Sequence, residues 1–317
     1  MHPDKMRHYH FLDYATQAYV ALVGLLILFF HGGVIDYWLP RVLAHAGWLL
    51  AAHWLIVHHA KAKTGKVLDF LRHFYPLLLY IPIYNETGHL NQMFMTGIAD
   101  PWFIKLDQVI FGCQPSLVFM ERLPWLPVSE LFYISYFSYY LMITGVGLAL
   151  FLRDRNQFRH YLSLVSFVFY LCFLIYIFLP VVGPRIFYRD LVPFDLPAAA
   201  MPAVVPPFPE AVQAGPFYRI MAVIYHYFET PGAAFPSSHV AVALTTVYFS
   251  RKYLPRIWKW HAVVAALLCL STVYCRYHYA VDIAGGVLLT VLALPLGNWL
   301  MARCPASPKL AQSRGAN

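Results

Sequence analysis

Charge is scarce in this chain. Asp, Glu, Lys and Arg supply 12% of its 317 residues, and 60% are hydrophobic. A soluble domain carries about 25% charge, so this balance excludes an ordinary water-soluble fold and points to a membrane protein. Cysteine is sparse as well. Cys113, Cys172, Cys269, Cys275 and Cys304 form no CxxC pair, which argues against a disulfide framework or a zinc site. No internal repeat or low-complexity tract occurs. No clustered carboxylates of the Mg²⁺-binding type are present, so neither a metal nor a cofactor is expected.

What the chain has instead is long apolar runs. Seven are clear, at about 14–31, 38–58, 129–151, 160–180, 235–250, 258–276 and 280–301. An eighth, 72–85, is shorter and contains Pro76 and Pro82. About 20 apolar residues span the hydrocarbon core as a helix, and backbone groups in lipid must be hydrogen-bonded internally. The expected fold is therefore all-α, a polytopic membrane helix bundle of about eight spans. The first run follows a polar start and lacks a small-x-small cleavage pattern after Phe30, so it reads as an uncleaved span.

The net charge of +8 does not require a nucleic-acid partner, because its placement explains it. With the N-terminus inside, segments 1–13, 59–73, 152–160, 251–260 and 302–317 are inner and carry 16 of the 23 Lys and Arg. This asymmetry follows the positive-inside rule. It predicts cytoplasmic termini. The basic 61–72 loop reads as an anchor on anionic lipid.

Two outer segments differ from the spans. Apolar residues of 86–128 are interrupted by Asp100-Pro101, Gly112 and Pro115, which predicts amphipathic helices lying along the membrane surface. Residues 181–233 hold nine prolines, leaving only about 211–229 free to be helical. Long loops of this kind often serve as lids or binding loops. Asn85-Glu86-Thr87 is a polar span end that also forms a glycosylation sequon.

Chemistry concentrates in Phe235-Pro236-Ser237-Ser238-His239 and His278-Tyr279-Ala280-Val281-Asp282. Each opens an apolar run, and one run lies between them, so both fall on the same membrane face, the outer one by the charge count. Pro236 suits a first helical turn, which would leave the N–H groups of Ser237, Ser238 and His239 to cradle an anion. The two serine hydroxyls add donors, and His239 could protonate a leaving oxygen. His278 and Asp282 are four apart, on one helix face, where the carboxylate would fix the imidazole tautomer. Arg276 precedes them and could hold phosphate oxygens. Arg185, in Gly183-Pro184-Arg185 on the same face, is a second candidate clamp. Taken singly, each feature has a structural explanation: a polar anchor, a helix pair, an ordinary helix start, a snorkelling arginine. Their convergence on one face points to a phosphoester site.

These motifs resemble the type 2 phosphatidic acid phosphatase superfamily. Pro236 to His239 is similar to its Pro-Ser-x-His motif, and His278 with Asp282 to its His-x-x-x-Asp element. Arg276 to Asp282, Gly183 to Arg185 and Asp107 to Pro115 are similar to the branch of inositol phosphorylceramide synthases, over about residues 70–302. The resemblance implies a six-helix core in a catalytic membrane domain, 71–302, that includes the outer-face loop 181–233. Extra N-terminal spans would occupy 1–70, and 303–317 would be a cytoplasmic tail. It also implies a metal-independent double displacement. His278 would attack phosphorus, Asp282 would orient it, His239 would move the proton, and Arg276 and Arg185 would hold the phosphate, with Ser237 and Ser238 beside them. The superfamily's Lys-x6-Arg-Pro string is missing, and Thr272 stands where the phosphatases carry arginine. These departures leave open whether the acceptor is water or an alcohol.

The expected function is thus a lipid phosphatase or headgroup phosphotransferase in a membrane, of the bacterial inner-membrane type. Its expected partners are a lipid phosphate or phospholipid and, as acceptor, water, a lipid alcohol or an inositol-type alcohol. The alternatives are an anionic-lipid transporter or flippase and a non-catalytic lipid-binding protein. A transporter of that kind would show repeated halves and broken helices, and binding alone would not need Asp282.

Overall fold

The computed structural model describes residues 8–61, 65–190 and 207–304. In chain order the helices are α1 Phe11–Phe30, α2 Trp38–Lys61, α3 Lys66–Leu90, α4 Asp100–Phe111, α5 Pro115–Arg122, α6 Leu126–Arg153 and α7 Arg155–Phe178. They continue with α8 Pro184–Asp190, α9 Glu210–Gln213, α10 Pro216–Phe228, α11 Ser238–Tyr253, α12 Trp258–Tyr274 and α13 Ala280–Arg303. No strand occurs among the described residues; Val181 and Ala233 form one isolated bridge. The expected all-α membrane bundle is the observed one.

Every apolar run read from the sequence is a helix. Four of them, α1, α6, α7 and α13, are long and apolar enough to cross a membrane. The others fall short for different reasons. Helices α11 and α12 have 16 and 17 residues, under the roughly 20 that cross the hydrocarbon core. Helices α2 and α3 are long, but their apolar faces are interrupted by His, Arg and Glu. Pro76 and Pro82 lie inside α3 without ending it.

Helix α7 is the centre of the bundle, in contact with α1, α3, α6, α11 and α13. Its first turn is capped by Asp154, whose carboxylate accepts from the N–H groups of Asn156 and Gln157 at 2.8 and 3.3 Å. Tyr161, Leu164, Val168, Cys172 and Tyr176 are fully buried along it. The N-terminal helices join this core: α1 packs on α2 and α7, and a buried pair between Arg72 and Asp13 (2.7 Å) ties α3 to α1. The boundary expected near residue 70 falls inside α3, so no break in the fold marks it.

Helices α4 and α5 form in the 86–128 stretch, but the exposed face of α4 is apolar as well. Phe103, Ile104 and Asp107 are buried, whereas Trp102, Val109 and Ile110 are exposed. Gly112, with φ of 69°, ends α4 in the left-handed conformation that glycine adopts at little cost. In 181–233, α9 and α10 occupy the stretch expected to be helical. The seven-residue α8 was not anticipated; Pro184 opens it as a first-turn proline. Residues 191–206, and the tail beyond Cys304, lie outside the described residues.

Candidate active site

The two motifs meet where α11 and α13 begin and α12 ends. After Tyr274 the chain turns sharply: Arg276 adopts φ of 62°, and the N–H groups of Tyr277 and His278 both donate to the Thr272 carbonyl at 3.0 Å. That turn delivers His278 to the start of α13. There Asp282 closes a capping box, accepting from the Tyr279 N–H at 2.9 Å. The same oxygen, Oδ2, lies 3.2 Å from His278 Nδ1. The other imidazole nitrogen, Nε2, lies 3.1 Å from Ser237 Oγ.

Ser237 is the N-cap of α11 and accepts from the Val240 N–H at 3.4 Å. An ionised Asp282 can only accept, so a proton on Nδ1 facing it would leave Nε2 to accept from the Ser237 hydroxyl. Pro236 stands before the cap rather than in the first helical turn, and its peptide bond with Phe235 is cis. The Ser237 N–H is not available to an anion, because it donates to the Asp282 carbonyl at 3.3 Å. Of the expected backbone cradle, the first-turn positions Ser238 and His239 remain. Gly286 permits this junction: a Cβ there would stand 2.7 Å from the Ser237 carbonyl oxygen.

His239 faces His278 with ring centroids 5.8 Å apart. Tyr136 and Tyr139 pack on its ring at 4.7 and 4.4 Å, and the Tyr136 hydroxyl lies 3.0 Å from Nε2. Its Nδ1 is buried and has no hydrogen-bond partner among the described residues. Tyr136 also hydrogen-bonds Tyr225, which stacks face to face on Tyr277 at 4.0 Å. Arg185 lies over both of those rings and pairs with Glu229 at 3.2 Å. The aromatic stack thus links Arg185 to His239. Arg276 is buried, with its guanidinium 4.8 Å from the Phe208 ring. Thr272 is fully buried, its hydroxyl on the Cys269 carbonyl at 2.7 Å, so no cation enters from that position.

A cavity of about 420 Å³ reaches this site from the side. Tyr80 and Tyr84 of α3, Tyr139 and Tyr140 of α6, and Phe169 and Phe173 of α7 form its walls. It ends at Ser238 and His239, and His278 is not part of its lining. Asn85 also borders it, accepting from the Thr230 hydroxyl at 3.2 Å.

Two aspartates that sequence reasoning missed hold the site together. Asp107 of α4 accepts the first-turn N–H groups of Ala280 and Val281 at 2.9 and 3.0 Å, an N-cap supplied from outside α13. Asp100 accepts from the N–H groups of Val182 and Gly183 at 2.8 and 2.9 Å and from the Tyr279 hydroxyl at 2.9 Å. It pins the loop carrying Arg185 to the start of α13. Burial raises the pKa of both carboxyl groups, and these donors oppose the rise. The signal was present in the sequence as two acidic residues in an apolar segment. Replacing Asp107 with alanine is expected to destabilise the protein by about 1–2 kcal/mol, the usual loss for a helix cap. Thermal unfolding in detergent measures this, and an unchanged midpoint would show that the cap is dispensable.

The fold is that of a helical membrane protein in which two histidines, His239 and His278, face each other where two helices begin. The sequence matches the PAP2 superfamily over residues 101–296, and the chain belongs to that family of phosphatase-type membrane proteins. A PA-phosphatase related-family protein of Dictyostelium discoideum is 33% identical over 66 residues, which make up 21% of this chain and 12% of that protein. No solved structure matches.

Proposed function

We propose that the chain is an integral membrane enzyme that transfers a phosphoryl or phospho-headgroup unit from a lipid phosphoester to water or an alcohol, through a phosphohistidine at His278. The observation that carries this reading is the clamp on His278. Asp282 on Nδ1 leaves the Nε2 lone pair directed at Ser237, the disposition of an oriented nucleophile. As phosphorus approaches, the Ser237 hydroxyl is free to turn from Nε2 to a phosphoryl oxygen. Nε2 bonds to phosphorus, the ester oxygen leaves, and His239 gives it a proton. In the second half the acceptor O–H gives its proton to His239, its oxygen bonds to phosphorus, and the P–Nε2 bond breaks. Both halves use imidazoles alone, so no metal is required. Arg276 and Arg185 are the proposed phosphate ligands, with Arg185 exchanging Glu229 for the substrate.

The aromatic cavity ending at His239 supports a lipid as substrate, because its size lies within the range of small-molecule sites, about 300–1,000 Å³. We further read α2, α3, α11 and α12 as crossing the membrane with the four longer helices. The charge asymmetry then supports an outer-face position for the histidines. Arg276 to Asp282 favours the inositol phosphorylceramide synthase branch and therefore an alcohol acceptor. The purified protein, incubated with phosphatidic acid and a panel of phospholipids, with and without ceramide or inositol, decides between acceptors. Released phosphate marks water; a new lipid marks an alcohol. Turnover that survives replacement of both His239 and His278 by alanine would sink the whole reading.

A further inference from the structure

A second cavity, bordered by basic side chains, lies at the other end of the bundle. It has a volume of about 210 Å³ and is bordered by His8, His10, His59, Arg72, His73 and Arg159. These residues come from the segment before α1, the end of α2 and the N-terminal parts of α3 and α7. Arg159 shares α7 with Tyr176, whose hydroxyl donates to the Pro236 carbonyl at the histidine site. At the helical rise per residue, about 26 Å separates the two along the axis. The two cavities are therefore distinct sites.

Their charges are matched differently. Arg72 is neutralised by Asp13 through two hydrogen bonds of 2.9 and 2.7 Å. Asp13 also accepts from the Tyr75 hydroxyl and the His10 N–H, both at 2.8 Å, which fills its oxygens. His59 and His73 lie 3.2 and 3.5 Å from Asp69. Arg159 is different: it is half-buried and has no hydrogen bond or ion pair with any described residue. Phe158 and Leu162, both buried, adjoin it in the cavity wall. A half-buried guanidinium is only partly hydrated, and an anion in the cavity would pair with it beside the surrounding imidazoles.

We propose that this cavity binds a phosphate-type anion, with Arg159 as its charged anchor. A guanidinium fork matches phosphate oxygens in a bidentate manner, and imidazole N–H groups of His8, His59 and His73 would supply further donors. The same chemistry fits a soluble phosphate or the headgroup of an anionic lipid in the adjoining leaflet. The inference stands on residues that play no part in the proposed phosphohistidine reaction, so either can fail alone.

The test is protection of Arg159 from phenylglyoxal in the full-length protein, read by peptide mass spectrometry. Inorganic phosphate added in detergent probes the soluble source. Nanodiscs containing phosphatidic acid, compared with nanodiscs of phosphatidylcholine alone, probe the lipid source. Protection by phosphate, or by phosphatidic acid and not phosphatidylcholine, is the expected result and identifies which source binds. Arg159 remaining equally reactive in every arm would overturn the proposal. A second measurement counts bound phosphate by native mass spectrometry. Arg159→Gln should weaken one binding event by roughly 10-fold to 100-fold, the usual worth of hydrogen bonds to a charged group, with lipid turnover unchanged. Arg276→Gln, in contrast, should remove the event at the histidine site and leave the Arg159 event intact. If Arg159→Gln retains every bound phosphate, the cavity is not an anion site.

Discussion

Alanine at position 278 is expected to stop turnover of lipid phosphoesters, with a loss of about 10⁴-fold or more. The expectation rests on covalent chemistry: without an imidazole no phosphorus–nitrogen bond can form. The variant should also fail to acquire acid-labile label from a ³²P-phosphoester, whereas wild type should acquire it. Alanine at position 239 should behave differently. It removes a proton carrier, worth typically about 10²–10⁴-fold, while leaving the nucleophile clamped between Asp282 and Ser237. A substrate with a nitrophenolate leaving group needs little protonation, so the His239 variant should lose less activity with it than with a lipid ester. The His278 variant should lose both equally. Equal losses for both variants on both substrates would remove the division of roles between the two histidines.

Much of this molecule is legible from its sequence because its largest features are local. A run of apolar residues in lipid has only helical solutions, and each of the eight runs is a helix. The pairing of His278 with Asp282 is also local, at 3.2 Å, but the two do not share a helix face: His278 precedes the N-cap Tyr279, and the capping turn brings it to Asp282. Features that depend on distant partners were not legible. The Asp100 bond to Tyr279 spans 179 positions and the Asp107 cap on α13 spans 173. Nothing in the neighbourhood of either aspartate names its partner. Glu229 is similar: only the fold reveals that it neutralises Arg185, 44 positions away. The displacement of Pro236 from the first helical turn has a comparable cause. Ser237 is recruited as the cap by its contacts with Val240, His278 and the Asp282 carbonyl, and two of these three partners lie on another helix or its approach.

Asparagine at position 282 should lower turnover by about 10³–10⁴-fold while leaving the fold in place, and the reason lies in proton placement. In the wild-type protein one carboxylate oxygen accepts from both the Tyr279 N–H (2.9 Å) and His278 Nδ1 (3.2 Å). An amide has one acceptor oxygen and one NH₂ donor. If its oxygen stays on the Tyr279 N–H, it can still accept from Nδ1, but without the negative charge that stabilises the imidazolium as phosphorus is attacked. If the amide rotates, its NH₂ faces Nδ1, which must then be the acceptor. The ring proton moves to Nε2, and the lone pair required for attack is gone. The corresponding change in a serine-protease triad costs about 10⁴-fold for this reason. The two outcomes are separable. Loss of charge alone should lower the rate with Nδ1 still protonated, whereas tautomer reversal should shift the ring ¹⁵N resonances of His278. A purely structural role for Asp282 predicts neither: it would lower the unfolding midpoint in proportion to the lost cap and leave the rate per folded molecule unchanged. Asp107→Asn provides the matching control, because that residue caps the same helix through Ala280 and Val281 without touching His278. If both asparagine variants lower activity by the same factor, Asp282 acts only by holding α13, and the oriented-nucleophile reading of the site fails.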